Sequence, residues 1–369
     1  MAVRSPGQQR DWVVSPGEIL AEALEERGMS QSELARRMGR PVKTINEIIH
    51  AKATVTPETA LQLELVLGIP ASLWVNLEGS YRRHLAERES LAAFAGLADW
   101  LKQFPVKDLA RHGFIDRNGT TEKQVSQLLA FFGTANPDAL ERRWGKPLAQ
   151  YRKSVAYKGS EQSRAAWLRW GELLAEDMDL EPVDARGLSV VASQLPRLSR
   201  VAPLEAALDQ ARSSLREVGV ALIVLPEFEG TRLSGAARWL PRGVAVAQLS
   251  LRHKTDDHLW FSLMHEIGHI LDRPRHDFVD AVEAPPSEYD DPQAEQRANA
   301  FARDVLVASN ALQAFLDRGR LDARSLRSFA EEVNVSPGII VGRLQHDGVI
   351  PPGRHNSLKR TVEFINPES

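Results

Sequence analysis

Apolar positions in the first 85 residues recur with the period of short amphipathic helices. Ile19 to Leu24 forms one apolar stripe. Leu34, Ala35 and Met38 form a second, introduced by Ser30-Gln-Ser-Glu33, in which the Ser hydroxyl can bond the amide three residues on while Glu33 reaches back to the cap. Gly39 ends that helix, and Pro41 sits where another can start, carrying Ile45, Ile48 and Ile49 inward and leaving Lys43, Thr44, Asn46 and Glu47 outward. Thr56-Pro57 repeats the cap-plus-proline start for a helix through Leu61 to Leu67, closed by Gly68. Two short helices joined by a tight glycine turn, with further helices on either side, predict a helix-turn-helix bundle.

From Tyr81 to Pro203 there is neither an internal repeat nor a chemical motif. Leu97 to Phe104, Lys123 to Phe132 and Ser163 to Glu176 read as amphipathic helices in which Trp100, Phe104, Trp167 and Trp170 are packing residues. Asp116-Arg-Asn-Gly and Lys158-Gly-Ser mark turns. The pattern changes at Leu204: a helix to Glu217 precedes an apolar strand, Val220 to Leu225, and a second strand, Val244 to Leu249, with Ser234 to Leu240 as an edge that could pair with an extended peptide. Near the end, Leu326 to Gln345 again reads helix, turn, Ser-Pro cap, helix, with Arg343, Arg354, Lys359 and Arg360 close by. The pattern fits either a second helix-turn-helix or a structural cover over the preceding core.

The chemistry enters at His265-Glu266-Ile267-Gly268-His269, inside the apolar run Leu259 to Leu271. Positions four apart lie on one helix face, so both imidazoles can reach a single divalent ion and Glu266 borders it. Two histidines and a glutamate are costly to bury in an apolar helix without partners, and a metal supplies them. A catalytic zinc has three protein ligands and an open position. One known arrangement takes another His six residues after the second with a Gly between, but Arg275 and Asp272 stand there and His276 is one residue out of step. The other takes a carboxylate from a following helix. Of Glu283, Glu288, Asp290, Asp291 and Glu295, only Glu295 opens a helical pattern, with Ala298, Phe301, Ala302 and Val305 recurring after it. The other four fall in a Pro-containing acidic stretch, Asp277 to Pro292, that reads as a mobile surface loop.

Trp260-Phe-Ser-Leu-Met-His-Glu-Ile-Gly-His-Ile-Leu followed by Glu295-Gln-Arg-Ala-Asn-Ala-Phe-Ala resembles the ImmA/IrrE family of metallo-endopeptidases. The likeness extends through Gly219 to Pro226, Ser234 to Leu240 and Val246 to Arg252. It implies that His265, His269 and Glu295 hold the metal and that Glu266 is the general base. Such a site lowers the pKa of a zinc-bound water to about 7 and polarises a carbonyl, while Glu266 takes the proton. His253, His258, His276 and Arg303 are oxyanion-donor candidates by sequence proximity only. His and carboxylate ligands suit Zn2+ and also Mn2+.

Ser15-Pro-Gly-Glu-Ile-Leu, Gln31-Ser-Glu-Leu-Ala and Thr44-Ile-Asn-Glu-Ile resemble XRE-type DNA-binding domains, and more closely HigA-like antitoxins. The resemblance implies that the helix from Pro41 to His50 enters the major groove, with Gln31 anchoring the backbone. Lys43 and Asn46, with Thr44 beside them, face outward to read bases, and Arg36, Arg37, Arg40 and Lys52 suit phosphates. Charge tempers this. Glu18, Glu22, Glu25 and Glu26 offset the local positive excess, so operator binding calls for a homodimer and falls steeply with salt.

The chain of 369 residues is long enough for several domains, and 43% hydrophobic content supports real cores. With no cysteine, disulfides, Cys-based zinc sites and thiol catalysis are excluded. A net charge of -3 gives no general attraction to nucleic acid or anionic membranes. No apolar run approaches spanning length and the first ten residues hold no signal-type apolar region, so a cytoplasmic protein is expected. The expected fold is mainly α with a small α+β part. It comprises a helix-turn-helix domain (1–85), a helical connector (86–203), a gluzincin-like metallopeptidase core with short strands (204–320) and a helix-turn-helix-like tail (321–369). The functional expectation is a zinc endopeptidase and DNA-binding regulator of low general turnover. The resemblance to the ImmA/IrrE family implies a protein substrate, an XRE-type repressor or antitoxin, and a metal site on a mobile acidic loop would let activity be gated by a partner, metal supply or stress. The competing expectation is a HigA-like DNA-binding antitoxin or repressor with a structural or vestigial metal site. The intact Glu266 argues against it, because a structural site has no need of a base.

Overall fold

Ser15 accepts the Glu18 amide at 3.2 Å and Pro16 follows, so helix α1 (Pro16–Glu26) starts where a capping hydroxyl and a pre-set φ coincide. The structure, a computed structural model, describes residues 13–152, 160–252, 254–272 and 292–362. Helix α2 (Gln31–Met38) begins on Ser30, whose hydroxyl accepts the Glu33 amide at 3.1 Å. The second half of the expected capping box does not form. The Glu33 carboxylate instead accepts from Arg37 at 2.8 Å and from Arg36, because guanidiniums one turn on offer charge-assisted bonds stronger than one backbone amide can give. Gly39, at φ 62, makes the left-handed turn into α3 (Val42–Ile49), and α4 (Pro57–Leu67) and α5 (Ala71–Phe94) complete the bundle. Leu20, Leu34, Ile45, Ile48, Leu63 and Trp74 form its core, while Ile49 is only half-buried. A Cβ on Gly17 would stand 2.4 Å from the Ile48 and Ile49 carbonyl oxygens, so α1 and α3 meet backbone to backbone.

The described residues up to 98, with 120–126, form one compact unit; 99–119 and those from 127 onward form the other. The chain continues through α6 (Ala98–Leu101), α7 (Val106–Arg111), α8 (Thr121–Phe132), α9 (Pro137–Arg152), α10 (Glu161–Glu176) and α11 (Ala185–Gln194). The helix expected over Leu97 to Phe104 is shorter, because Phe104 closes a turn onto Leu101 before Pro105. In the second unit the indole N–H of buried Trp167 donates to Pro226 O at 3.1 Å, Trp170 stacks on Phe228 at 5.4 Å, and Trp100 packs on Phe104 at 4.9 Å.

Helix α12 (Leu204–Arg216) leads into β1 (Val220–Val224), β2 (Gly235–Leu240) and β3 (Val244–Leu249). The sheet order is β1-β3-β2, with β1 parallel and β2 antiparallel to β3. The uninterrupted Val, Ala, Ile and Leu runs of β1 and β3 are those of strands covered on both faces, and both are buried. β2 is the edge opposite β1, joined to α9 and α10 by Arg238, whose guanidinium lies 4.9 Å over Trp144 and 3.8 Å from the buried Glu172.

Helix α13 (Asp256–Asp272) crosses beside the sheet, followed by α14 (Pro292–Leu306), α15 (Ser309–Leu316), α16 (Ala323–Glu332) and α17 (Pro337–His346). Trp260, Leu263, Met264 and Ile267 are wholly buried on α13. A Cβ on Gly268 would lie 3.1 Å from Ala298 Cα, so glycine and alanine let α13 and α14 approach closely. The C-terminal tail is a cover. Buried Asp256 accepts from Ser336 Oγ at 2.8 Å and from the Arg360 amide at 2.9 Å, Lys359 pairs with Asp257 at 2.7 Å, and Arg343 donates to Asp347 at 2.6 Å. These basic side chains thus face the protein's own carboxylates. The acidic stretch read as a loop falls, apart from Pro292, outside the described residues. No helix among them is long and apolar enough to cross a membrane.

Candidate metal centre

On α13 the four-residue spacing sets the two imidazoles on one face, their Nε2 atoms 3.0 Å apart. Glu295, in the first turn of α14, brings Oε2 to 3.4 Å from His265 Nε2 and Oε1 to 3.2 Å from His269 Nε2. One ligand atom from each of the three lies within 4.8 Å of the others. Asn299, one turn after Glu295, presents Oδ1 to His265 Nδ1 at 3.1 Å. With Nδ1 donating to the amide oxygen, Nε2 is the ring atom turned to Glu295: protonated, it donates to that carboxylate, and deprotonated, it offers its lone pair to a cation. Sequence reasoning gave Asn299 no role, although its spacing from Glu295 carried the signal.

The electrostatics are those of a site built for a cation. Burial resists protonation of His265, but the hydrogen bond to Glu295 and the charge of Glu266 outweigh it and hold the imidazole above its ordinary value. Hydrogen bonds from His265 and His269 hold the Glu295 carboxyl well below the usual carboxylate range. Two nitrogens and one oxygen facing one point form a donor set that suits a divalent zinc-type ion, so these residues fit such a metal.

Glu266 lies at the floor of this group, 7% exposed. Burial pushes its carboxyl up; the two imidazoles and the Ala237 backbone N–H pull the other way without overcoming it. Edge strand β2 passes directly against it: a Cβ on Gly235 would stand 2.6 Å from Glu266 Oε1. Gly235 and Ala237 therefore position the carboxylate; the sequence marked their segment, Ser234 to Leu240, but gave neither residue a role. Of the oxyanion candidates, His258 and Arg303 line a cavity beside the centre, while His253 and His276 lie outside the described residues.

In the first unit Gln31 and Asn46 are brought together, Asn46 Nδ2 donating to Gln31 Oε1 at 3.3 Å across the turn. Lys43 is exposed and 3.8 Å from Glu47, Thr44 is half-buried, and Lys52 is exposed. Arg36 and Arg37 are held by Glu33, and Arg40 donates to Gln62. The outer face of α3 is thus polar and accessible, whereas three of the four phosphate candidates are engaged within the domain.

A helix-turn-helix of regulator type and a small α+β domain with a His-His-Glu cluster define the class of protein. A helix-turn-helix family model matches residues 20–74, and one described as an IrrE N-terminal-like domain, of a peptidase family, matches residues 251–345. The chain is 38% identical over 74 residues to an uncharacterized HTH-type transcriptional regulator, YddM, of Escherichia coli, covering 20% of this chain and 77% of that one. It is 35% identical over 77 residues to virulence-associated protein I of Dichelobacter nodosus, covering 21% and 71%. A solved addiction module antidote protein of a HigA family from Coxiella burnetii shares 33% identity over 21% of this chain and 86% of that one, with a TM-score of 0.21. The chain belongs to the helix-turn-helix transcriptional regulators and carries in its C-terminal part an IrrE-like, metallopeptidase-type domain.

Proposed function

We propose that this protein is a zinc-dependent endopeptidase and DNA-binding regulator that cleaves an XRE-type repressor or antitoxin and so releases a promoter. Residues 1–85 bind DNA, 86–203 connect, 204–320 hold the peptidase core and 321–369 cover it. The observation that carries this reading is the convergence of His265, His269 and Glu295 beside a buried carboxylate none of them needs for ligation. His265, His269 and Glu295 would hold the ion, zinc or manganese, and when bound it supplies a Lewis-acidic centre for the scissile carbonyl. Asn299 fixes the His265 tautomer. Glu266 takes a proton from the attacking water and returns it to the leaving nitrogen, a task suited to a carboxyl raised by burial. The outer edge of β2, apart from the Ala237 N–H that Glu266 accepts, offers backbone N–H and C=O groups to an extended substrate, and Gly235 keeps that edge close to Glu266.

The test has two parts. Bound zinc is measured in wild type and His269→Ala, and the variant is expected to lose most of it. Cleavage of co-expressed XRE-type repressors is then compared between wild type and Glu266→Gln. A Glu266→Gln protein that cuts as fast as wild type sinks the mechanism.

A further inference from the structure

Immediately beside the candidate metal centre, α13, α14 and α17 enclose a cavity of about 170 Å³. Its walls are apolar: Phe261, Leu306, Val307 and Ile339. A cavity of roughly 150 Å³ admits a benzene-sized group, so this one accepts a bulky side chain. Phe261 is the wall it shares with the centre. The Phe261 ring lies 6.2 Å from the His265 ring on one side and 6.4 Å from that of His346 on the other, and Arg303 stands two turns after Glu295 on the same face of α14.

The charges lining the cavity do not cancel. Asp257 is paired with Lys359 at 2.7 Å. Arg343 is paired with Asp347 at 2.6 Å and also donates to the Arg303 and Val307 carbonyls at 3.1 and 3.4 Å. His346 Nδ1 lies 3.2 Å from Asp347. Among the described residues nothing accepts from the Arg303 guanidinium, which is half-buried at the rim. An uncompensated guanidinium over an apolar hole selects a ligand with an apolar body and an adjacent carboxylate.

We propose that this cavity is a specificity pocket that takes a bulky apolar side chain of the protein substrate, with an adjoining acidic residue held by Arg303. The assignment to a substrate rests on the peptidase reading above; the ligand class rests on the cavity alone. Residues Phe-Asp or Leu-Glu in sequence fit it, and Phe-Lys does not.

Binding is measured on the metal-free full chain, so that failure here leaves the peptidase reading untouched and failure of that reading leaves this measurement standing. Calorimetric titration with 3-phenylpropionate and 3-phenylpropylamine should favour the carboxylate by about tenfold. Two fluorescein-labelled hexapeptides differing only in Phe-Asp against Phe-Lys should show the same order by anisotropy, with 3-phenylpropionate displacing the first. Arg303→Gln should erase both preferences, Arg303→Lys should restore part of them, and Phe261→Leu should weaken carboxylate and amine alike. Equal binding of the two small probes, or a preference that survives Arg303→Gln, overturns the pocket. Failure of 3-phenylpropionate to displace the peptide overturns the substrate assignment.

Discussion

His265 Nδ1 lies 3.1 Å from Asn299 Oδ1, so the residue one turn beyond Glu295 fixes the tautomer of the first imidazole of α13. Removing such an outer partner typically costs 10- to 100-fold in metal affinity. Asn299→Ala should therefore weaken zinc binding by a factor of that order, read by competition with a chromophoric chelator, while the unfolding midpoint of the metal-free chain barely moves. Unchanged affinity would mean the amide has no hold on the ring.

Gly235 separates holding a metal from using it. A Cβ there would stand 2.6 Å from Glu266 Oε1 and 3.0 Å from its carboxyl carbon, closer than van der Waals contact allows. Gly235→Ala should shift the carboxylate and reduce cleavage by about 100-fold, the scale of a general base lost. The three atoms nearest that Cβ all belong to Glu266, which is not a ligand, so zinc content should remain that of wild type. A variant that loses zinc in proportion to activity would show that Gly235 supports the ligands instead.

Much of this site was legible in the sequence, and the limit has a physical form. The period-3.6 pattern across Leu259 to Leu271 and across Ala298 to Val305 placed three side chains on two helix faces, and the structure brings those faces together. The strands of the sheet were visible as apolar runs. Gly235 and Ala237 were not assigned, because their roles are contacts between segments distant in sequence or simply the absence of a side chain, which no local pattern records; Asn299 was passed over although it stands one turn after Glu295. Helices α9 and α11 were missed for another reason. Among the described residues each buries only a narrow stripe, Leu140 and Trp144 on α9 and Leu188 and Ala192 on α11, and no motif stands on either to draw attention to it. The Glu33 capping contact failed where two arginines competed for the same carboxylate.

Glu266 gives the pH dependence its sign. Burial raises its carboxyl in the metal-free fold, so ionising it opposes folding; the penalty is absent below the ordinary carboxylate value and develops as pH rises through the raised one. Metal-free Glu266→Gln should therefore be more stable than metal-free wild type at neutral pH, with the difference closing as pH falls toward 4.5. Urea midpoints of the two proteins across that window provide the check. A gap independent of pH would place Glu266 in a solvated environment.

Asp256 ties the tail to the start of α13. It is fully buried and accepts from Ser336 Oγ at 2.8 Å, the Arg360 amide at 2.9 Å and Arg360 Nε at 3.2 Å. Gly338 leaves it room, since a Cβ there would sit 2.4 Å from Oδ1. Asp256→Ala strands these donors and should cost about 3 kcal/mol, at the low end for a broken buried pair because Arg360 keeps contact with water. Limited proteolysis should then release the segment after α16 first. A loss below about 0.5 kcal/mol would class the network with ordinary surface pairs.

In the helix-turn-helix domain the candidate DNA-contacting residues differ in how far their side chains are already engaged. Arg36 and Arg37 are occupied by Glu33 and Arg40 by Gln62, whereas Lys43 and Asn46 lie exposed on the outer face of α3, Asn46 braced by Gln31 at 3.3 Å. If α3 enters the major groove, Lys43→Ala/Asn46→Ala should weaken binding to the protein's own promoter region by roughly 10- to 100-fold, the scale of losing one or two base contacts. Arg36→Ala should change affinity little at high salt, because its guanidinium is already neutralised. Glu33→Gln, which frees both arginines, should tighten non-specific binding and steepen the salt dependence by about one unit of slope per phosphate gained. Electrophoretic mobility shifts at two salt concentrations distinguish these outcomes. Promoter binding that the double change leaves intact would move the recognition surface off α3.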